Sequence, residues 1–221
     1  ENTLKNSSSK FKFVFLHNLV GGTGSMRGGA EASQLFEWGG LNATLIKTYP
    51  YYNQLNPDTN YFYTKRSLSA GWTMPIHNLL KTYQVTAVFH GHDHVYVKEI
   101  RDGIIYQEVP QPSAGNTASG CSLATSYGYI DSTASGTTAG ACKSTTPTPP
   151  YNAYGAIVDS SSGYLRVTVS PTQVKSEYIR SWMPSTTPST ISKNIETGTK
   201  KNKQVSQTWT CTYQATTGLC T

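Results

Sequence analysis

The stretch VTAVFHGHDHVYVKEIRDGIIYQEV, residues 85–109, carries the fold and the chemistry together. Its opening, VTAVFHG, is a short apolar run rich in β-branched and aromatic residues, the pattern of a buried strand. Its close, VYVKEI and IIYQEV around Asp102-Gly103, reads as a β-hairpin with a tight turn. Between them stand His90, His92 and His94 at alternate positions. A continued strand would line them along one face, whereas a turn fans them around a point. Gly91 permits the sharp turn, and strand carboxyl ends are where open α/β sheets build their sites. His92 and His94 are therefore expected to share one crevice at the end of a strand.

The rest of the chain is read from this stretch. Upstream, Leu68, Trp72, Ile76, Leu79, Leu80 and Tyr83 recur at three- and four-residue spacings, which predicts an amphipathic helix over 67–83. Pro75 belongs near its first turn or kinks it. FKFVFLH, residues 11–17, is a second apolar strand that ends in a histidine, and residues 1–10 read as the end of a helix entering a polar loop. Two strands separated by a helix predict a parallel crossover, which brings His17 to the same sheet edge as His92 and His94. The glycine-rich 21–29, a helix at 30–38 and a tyrosine-rich loop at 47–66 lie between. Downstream, 110–153 is a long Pro/Ser/Thr/Gly/Ala excursion, 153–159, 163–170 and 173–180 return as strands, and 183–221 reads as a polar tail with a terminal cysteine loop. The predicted fold is α/β with a mixed sheet and helices outside, one main domain over 1–182.

The 221 residues carry 18 basic and 12 acidic side chains, +6 in all, with the basic ones dispersed except at Lys200, Lys201 and Lys203. That argues against a nucleic-acid stripe as an obligate partner. No apolar run approaches the ~20 residues of a membrane span. Cys121, Cys142, Cys211 and Cys220 have no Cys-x-x-Cys pair and no nearby histidine, so disulfides and a secreted, extracellular or periplasmic location explain them better than zinc. Cys121–Cys142 and Cys211–Cys220 close the shortest loops; the other pairings stay open. His77, on the helix, is expected to be structural or exposed.

Clustered imidazoles suit zinc, iron or manganese, with nearby carboxylates fixing their tautomers. FHGHDHVY, residues 89–96, resembles the GHxH block of the calcineurin-like metallophosphoesterases, the superfamily that includes purple acid phosphatases. FVFLHN resembles the preceding block, and GYLRVTVSPTQVKSEYIR the closing strands of the same fold. The resemblance implies the carboxyl-terminal part of a metallophosphoesterase-type α/β sandwich and two metal ions, with His17 and His92 on one and His94 on the other. It leaves His90 and Asp93 without ligand roles. It also implies hydrolysis of a phosphate mono- or diester; Arg27 and the amides of 21–29 are candidates to hold phosphate oxygens.

The family's DxH, GDxxD and GNH blocks are absent: the chain has no Gly-Asp pair, and its only Gly-Asn, at 115–116, is followed by Thr. The expectation is a secreted phosphoesterase whose amino-terminal half lies on missing sequence or a partner chain. The alternative is a non-catalytic extracellular binding or structural protein on the same scaffold.

Overall fold

The computed structural model describes residues 1–18, 76–92, 94, 96–112, 157–159, 162–188, 195, 196, 198 and 200–215. A helical turn, α1 (Asn2–Lys5), leads into β1 (Phe13–Asn18); α2 (Ile76–Thr82) leads into β2 (Ala87–Gly91). The hairpin β3 (Tyr96–Arg101) and β4 (Ile104–Glu108) follows, then β5 (Ile157–Asp159), β6 (Gly163–Val169), β7 (Gln173–Arg180) and β8 (Val205–Thr212). Among the described residues no helix is long and apolar enough to cross a membrane.

The strands form two sheets, a mixed one in the order β1-β2-β4-β3-β5 and an antiparallel one in the order β6-β7-β8. β1, β2 and β4 run parallel, as the strand, helix, strand pattern requires; β3 and β5 run against their neighbours. Asp102 and Gly103 turn the hairpin with φ of 49° and 79°, the left-handed pair that a two-residue turn of this kind demands.

Alternation along the parallel strands sorts their side chains into two cores. On one face Val88, Ile104 and Tyr106 pack with Leu80 and Val85, joined by Val14, Leu16, Ile76 and Leu79, so that α2 covers the sheet. On the other, Ala87, Phe89 and Ile105 meet Val174, Trp209 and Cys211 of the second sheet. Trp209 stacks on Phe89 at 6.4 Å and donates from Nε1 to Gln107 Oε1 at 2.8 Å. Gln107 in turn donates to the carbonyls of Val97 and Glu108, so its buried amide is satisfied. Tyr96 and Tyr178 stack at 5.0 Å, and burial pushes both hydroxyls well above the usual tyrosine range.

At the far edge the sheets are tied by polar groups. Buried Asp159 accepts from Ser206 Oγ and from Gln207 Nε2, and Arg180 reaches Gln204 and Ser206 at 2.6 Å. The β8 strand that supplies these partners lies in the segment read as a polar tail. Its burial pattern explains why: only Trp209 and Cys211 of the strand are buried, too few apolar positions to announce a strand by period.

The start of β6 is closely packed. A Cβ on Gly163 would stand 2.5 Å from the Ile179 carbonyl and 2.9 Å from Tyr178 Cζ. Gly163→Ala is therefore expected to cost about 1–3 kcal/mol by overpacking. The urea unfolding midpoint checks this, with an unchanged denaturant slope. A cost near zero would mean that β6 moves freely against β7.

Candidate functional site

β1 and β2 are in register at Phe13 with Ala87, Val14 with Val88 and Phe15 with Phe89, then slip by one residue so that Asn18 faces Gly91. The slip brings His17 over Gly91. A Cβ there would lie 3.7 Å from the His17 carbonyl and 3.8 Å from its Nδ1, ordinary contact distances. Gly91 thus leaves room beside the His17 ring. His92 follows directly, and its ring meets that of His17 edge to face with centroids 5.4 Å apart. Two imidazoles from adjacent parallel strands meet at their carboxyl ends.

The backbone beyond β2 is unusual. His92 has φ of 96° and His94 φ of 60°, positive values that side chains other than glycine rarely adopt. Such conformations persist where surrounding structure enforces them, and they cluster at functional sites. His94 is exposed, His92 half-buried. Asp93, Arg27, Cys121, Cys142 and Cys220 lie outside the described residues. Cys211 is fully buried in β8 and is not a free thiol.

His90 faces the opposite side of the sheet. It pairs in register with Glu108 on β4, and its Nδ1 stands 2.5 Å from Glu108 Oε2 with both side chains almost wholly buried. The contact is a close approach of ring nitrogen to carboxylate, without the alignment of a regular hydrogen bond. Sequence reasoning missed Glu108, because IIYQEV reads only as a strand. The one hint was its even spacing from Tyr106 on the same face.

His77 is structural, as one of its two expected fates had it. It is fully buried on α2, with Nδ1 2.7 Å from the Tyr106 hydroxyl and Nε2 2.9 Å from Asp102 Oδ2. Burial holds its imidazole below the usual histidine range, against the opposing pull of the Asp102 bond. The neutral ring then donates from Nε2 to Asp102 and accepts from Tyr106 at Nδ1. The bond from His77 in turn holds the Asp102 carboxyl below its usual range.

A pH dependence follows. In the unfolded chain His77 titrates near the unperturbed 6.5, while in the fold it resists protonation to a lower pH. Its contribution to stability is complete above pH 6.5 and is lost as the pH falls below that value. Asp102 adds a second loss at lower pH, as its carboxylate takes up a proton. Unfolding midpoints measured from pH 7.5 to 5 should fall, and His77→Gln should flatten that slope. An unchanged slope in the variant would remove His77 from the acid response.

Among the described residues no group of three or more His, Cys, Asp or Glu side chains is arranged to hold a metal. At the β1–β2 edge two imidazoles are in ring contact, next to positive-φ backbone that carries a third, and imidazole is an ordinary zinc ligand. Compared with known proteins, the chain matches no protein-family profile and no curated protein.

Proposed function

We propose that the chain supplies the carboxyl-terminal metal ligands of a metallophosphoesterase-type α/β sandwich, acting outside the cytoplasm on phosphate mono- or diesters. The single observation that carries this reading is the edge-to-face pairing of His17 and His92 at the carboxyl ends of adjacent parallel strands. His17 and His92 would hold one metal and His94 the other. Zinc, iron and manganese all suit imidazole donors. When bound, such a pair of ions polarises the phosphoryl group and lowers the pKa of water. The chain's own part is to fix the imidazoles, through the positive-φ backbone at His92 and His94 that follows β2 and through the β1 register slip.

The carboxylate and asparagine ligands of such a centre have no counterpart in this sequence, so the reading includes an amino-terminal partner segment that brings them. Disulfides Cys121–Cys142 and Cys211–Cys220 belong to the same proposal, with the buried non-free Cys211 in its support.

Peptide mapping and metal analysis of the native material test it together with hydrolysis of bis(p-nitrophenyl) phosphate. The expected result is a co-purifying aspartate-bearing segment, close to two metals per complex and metal-dependent turnover. A lone chain that takes up no zinc, iron or manganese and turns over no ester would overturn the reading and leave a binding or structural protein.

A further inference from the structure

One side of the inter-sheet core is open beside the paired histidines. Phe15 of β1 is 75% exposed although the strand around it is apolar, and across the opening Tyr164 and Val167 of β6 are 46% and 39% exposed. These three are half of the six exposed large hydrophobic side chains among the described residues. With Phe89, Val109 and Pro110 they line one groove of about 410 Å³. Scattered exposed apolar residues need no explanation, but convergent ones around a concavity mark a binding surface.

The groove and the histidine pair are built on the same two strands: Phe15 stands two residues before His17 on β1, and Phe89 two before Gly91 on β2. Phe13 meets Phe89 at 6.0 Å, Phe15 lies on Phe89 at 5.2 Å with only 15° between the rings, His17 lies over Gly91, and His92 meets His17. Phe13, Phe15 and His17 of β1 and Phe89 of β2 thus set their rings at alternate positions along the two strands, with the ringless Gly91 against His17. The near-parallel Phe15–Phe89 stack leaves Phe15 exposed toward the groove, a surface suited to a further flat ring.

None of the side chains lining the groove carries a charge. It has no charge with which to hold a phosphate, which belongs at the histidines, and it offers apolar surface to whatever is attached to that phosphate. We propose that this groove receives an aromatic substituent of the ester, so that the substrate class is aryl phosphate esters, in preference to small alkyl ones. The inference rests on the phosphoesterase reading and specifies its substrate.

The test is calorimetric binding of phenylphosphonate and methylphosphonate, neither of which is hydrolysed, to the native protein loaded with zinc. Phenylphosphonate is expected to bind about tenfold more tightly or better, the scale on which apolar pockets discriminate. Phe15→Ala removes an exposed ring and leaves the fold intact; it should lower the phenyl-to-methyl ratio several-fold without changing the zinc content. Val167→Ser, across the groove, should act in the same direction.

Equal affinities for the two phosphonates, or a preference untouched by both substitutions, would overturn the aryl assignment while metal binding and phosphonate binding leave the phosphoesterase reading standing. Loss of a co-purifying polypeptide in Phe15→Ala, with the ratio unchanged, would identify that polypeptide as the occupant and also overturn it. Failure of the wild-type protein to bind zinc and either phosphonate would instead overturn the underlying reading.

Discussion

Truncating Trp209 to alanine is expected to cost about 3–5 kcal/mol, the range for deleting a large aromatic side chain from a core. Trp209 is 5% exposed and sits where the two sheets meet, among Ala87, Phe89, Ile105, Val174 and Cys211. The truncation leaves a cavity and strips Gln107 Oε1 of the 2.8 Å bond it receives from the indole. An orphaned buried acceptor adds to the cost of the cavity. Against a typical total of about 5–15 kcal/mol, the loss approaches the whole stability of a weak domain. Trp209→Phe keeps one aromatic ring in the core but loses the bond and part of the volume, so it should fall about halfway. Urea unfolding followed by far-ultraviolet circular dichroism reads both, since fluorescence would change with the residue itself. A loss below about 1 kcal/mol for the alanine variant would mean that the second sheet does not close the core as described.

The second large effect is on metal. His92→Ala is expected to weaken zinc binding about 100-fold or more, because removing even a supporting partner of a ligand costs 10–100-fold. His92→Gly should weaken it equally, yet with a different effect on stability. At φ of 96° a side chain is strained, and glycine relieves that strain. His92→Gly is therefore expected to match or exceed the wild-type unfolding midpoint while losing the metal, whereas His92→Ala keeps the strain. Equilibrium dialysis with zinc and urea unfolding of the metal-free proteins separate the two quantities. Zinc binding unchanged in both variants would remove His92 from the ligand set.

Much of the sheet was legible because its strands carry their signals locally. VTAVFHG, the Asp102-Gly103 hairpin and the pair around residues 163–180 combine β-branched or aromatic runs with turn residues, and all fold as read. Of the helix expected over 67–83, the described portion Ile76–Thr82 is helical and buries His77 and Leu80, while 67–75 lie outside the described residues. β8 escaped because its outward positions are Ser and Thr and its inward face includes the polar Gln207, so only Trp209 and Cys211 mark its buried side. The meeting of His17 with His92 was foreseeable from two strands ending in histidine. The slip that seats His17 over Gly91 was not, since a bulge depends on the facing strand. The partners of His77 and His90 were hidden for a similar reason: Tyr106, Asp102 and Glu108 reach them only through tertiary packing.

The order in which the chain leaves the ribosome gives the two-sheet core another meaning. Phe89 and Ile105 are synthesised early, but their covering residues Val174 and Trp209 belong to strands made later. Trp209 follows Ile105 by roughly a hundred residues, about 5–20 s of synthesis at ordinary rates of elongation. Through that interval the first sheet has a greasy underside and an unfinished partner. The parallel pairing of β1 with β2 already demands a long-range encounter, which slows folding further. Until β8 arrives that face stays uncovered, and a truncation just before β8 is expected to yield a species prone to aggregate rather than a smaller folded protein.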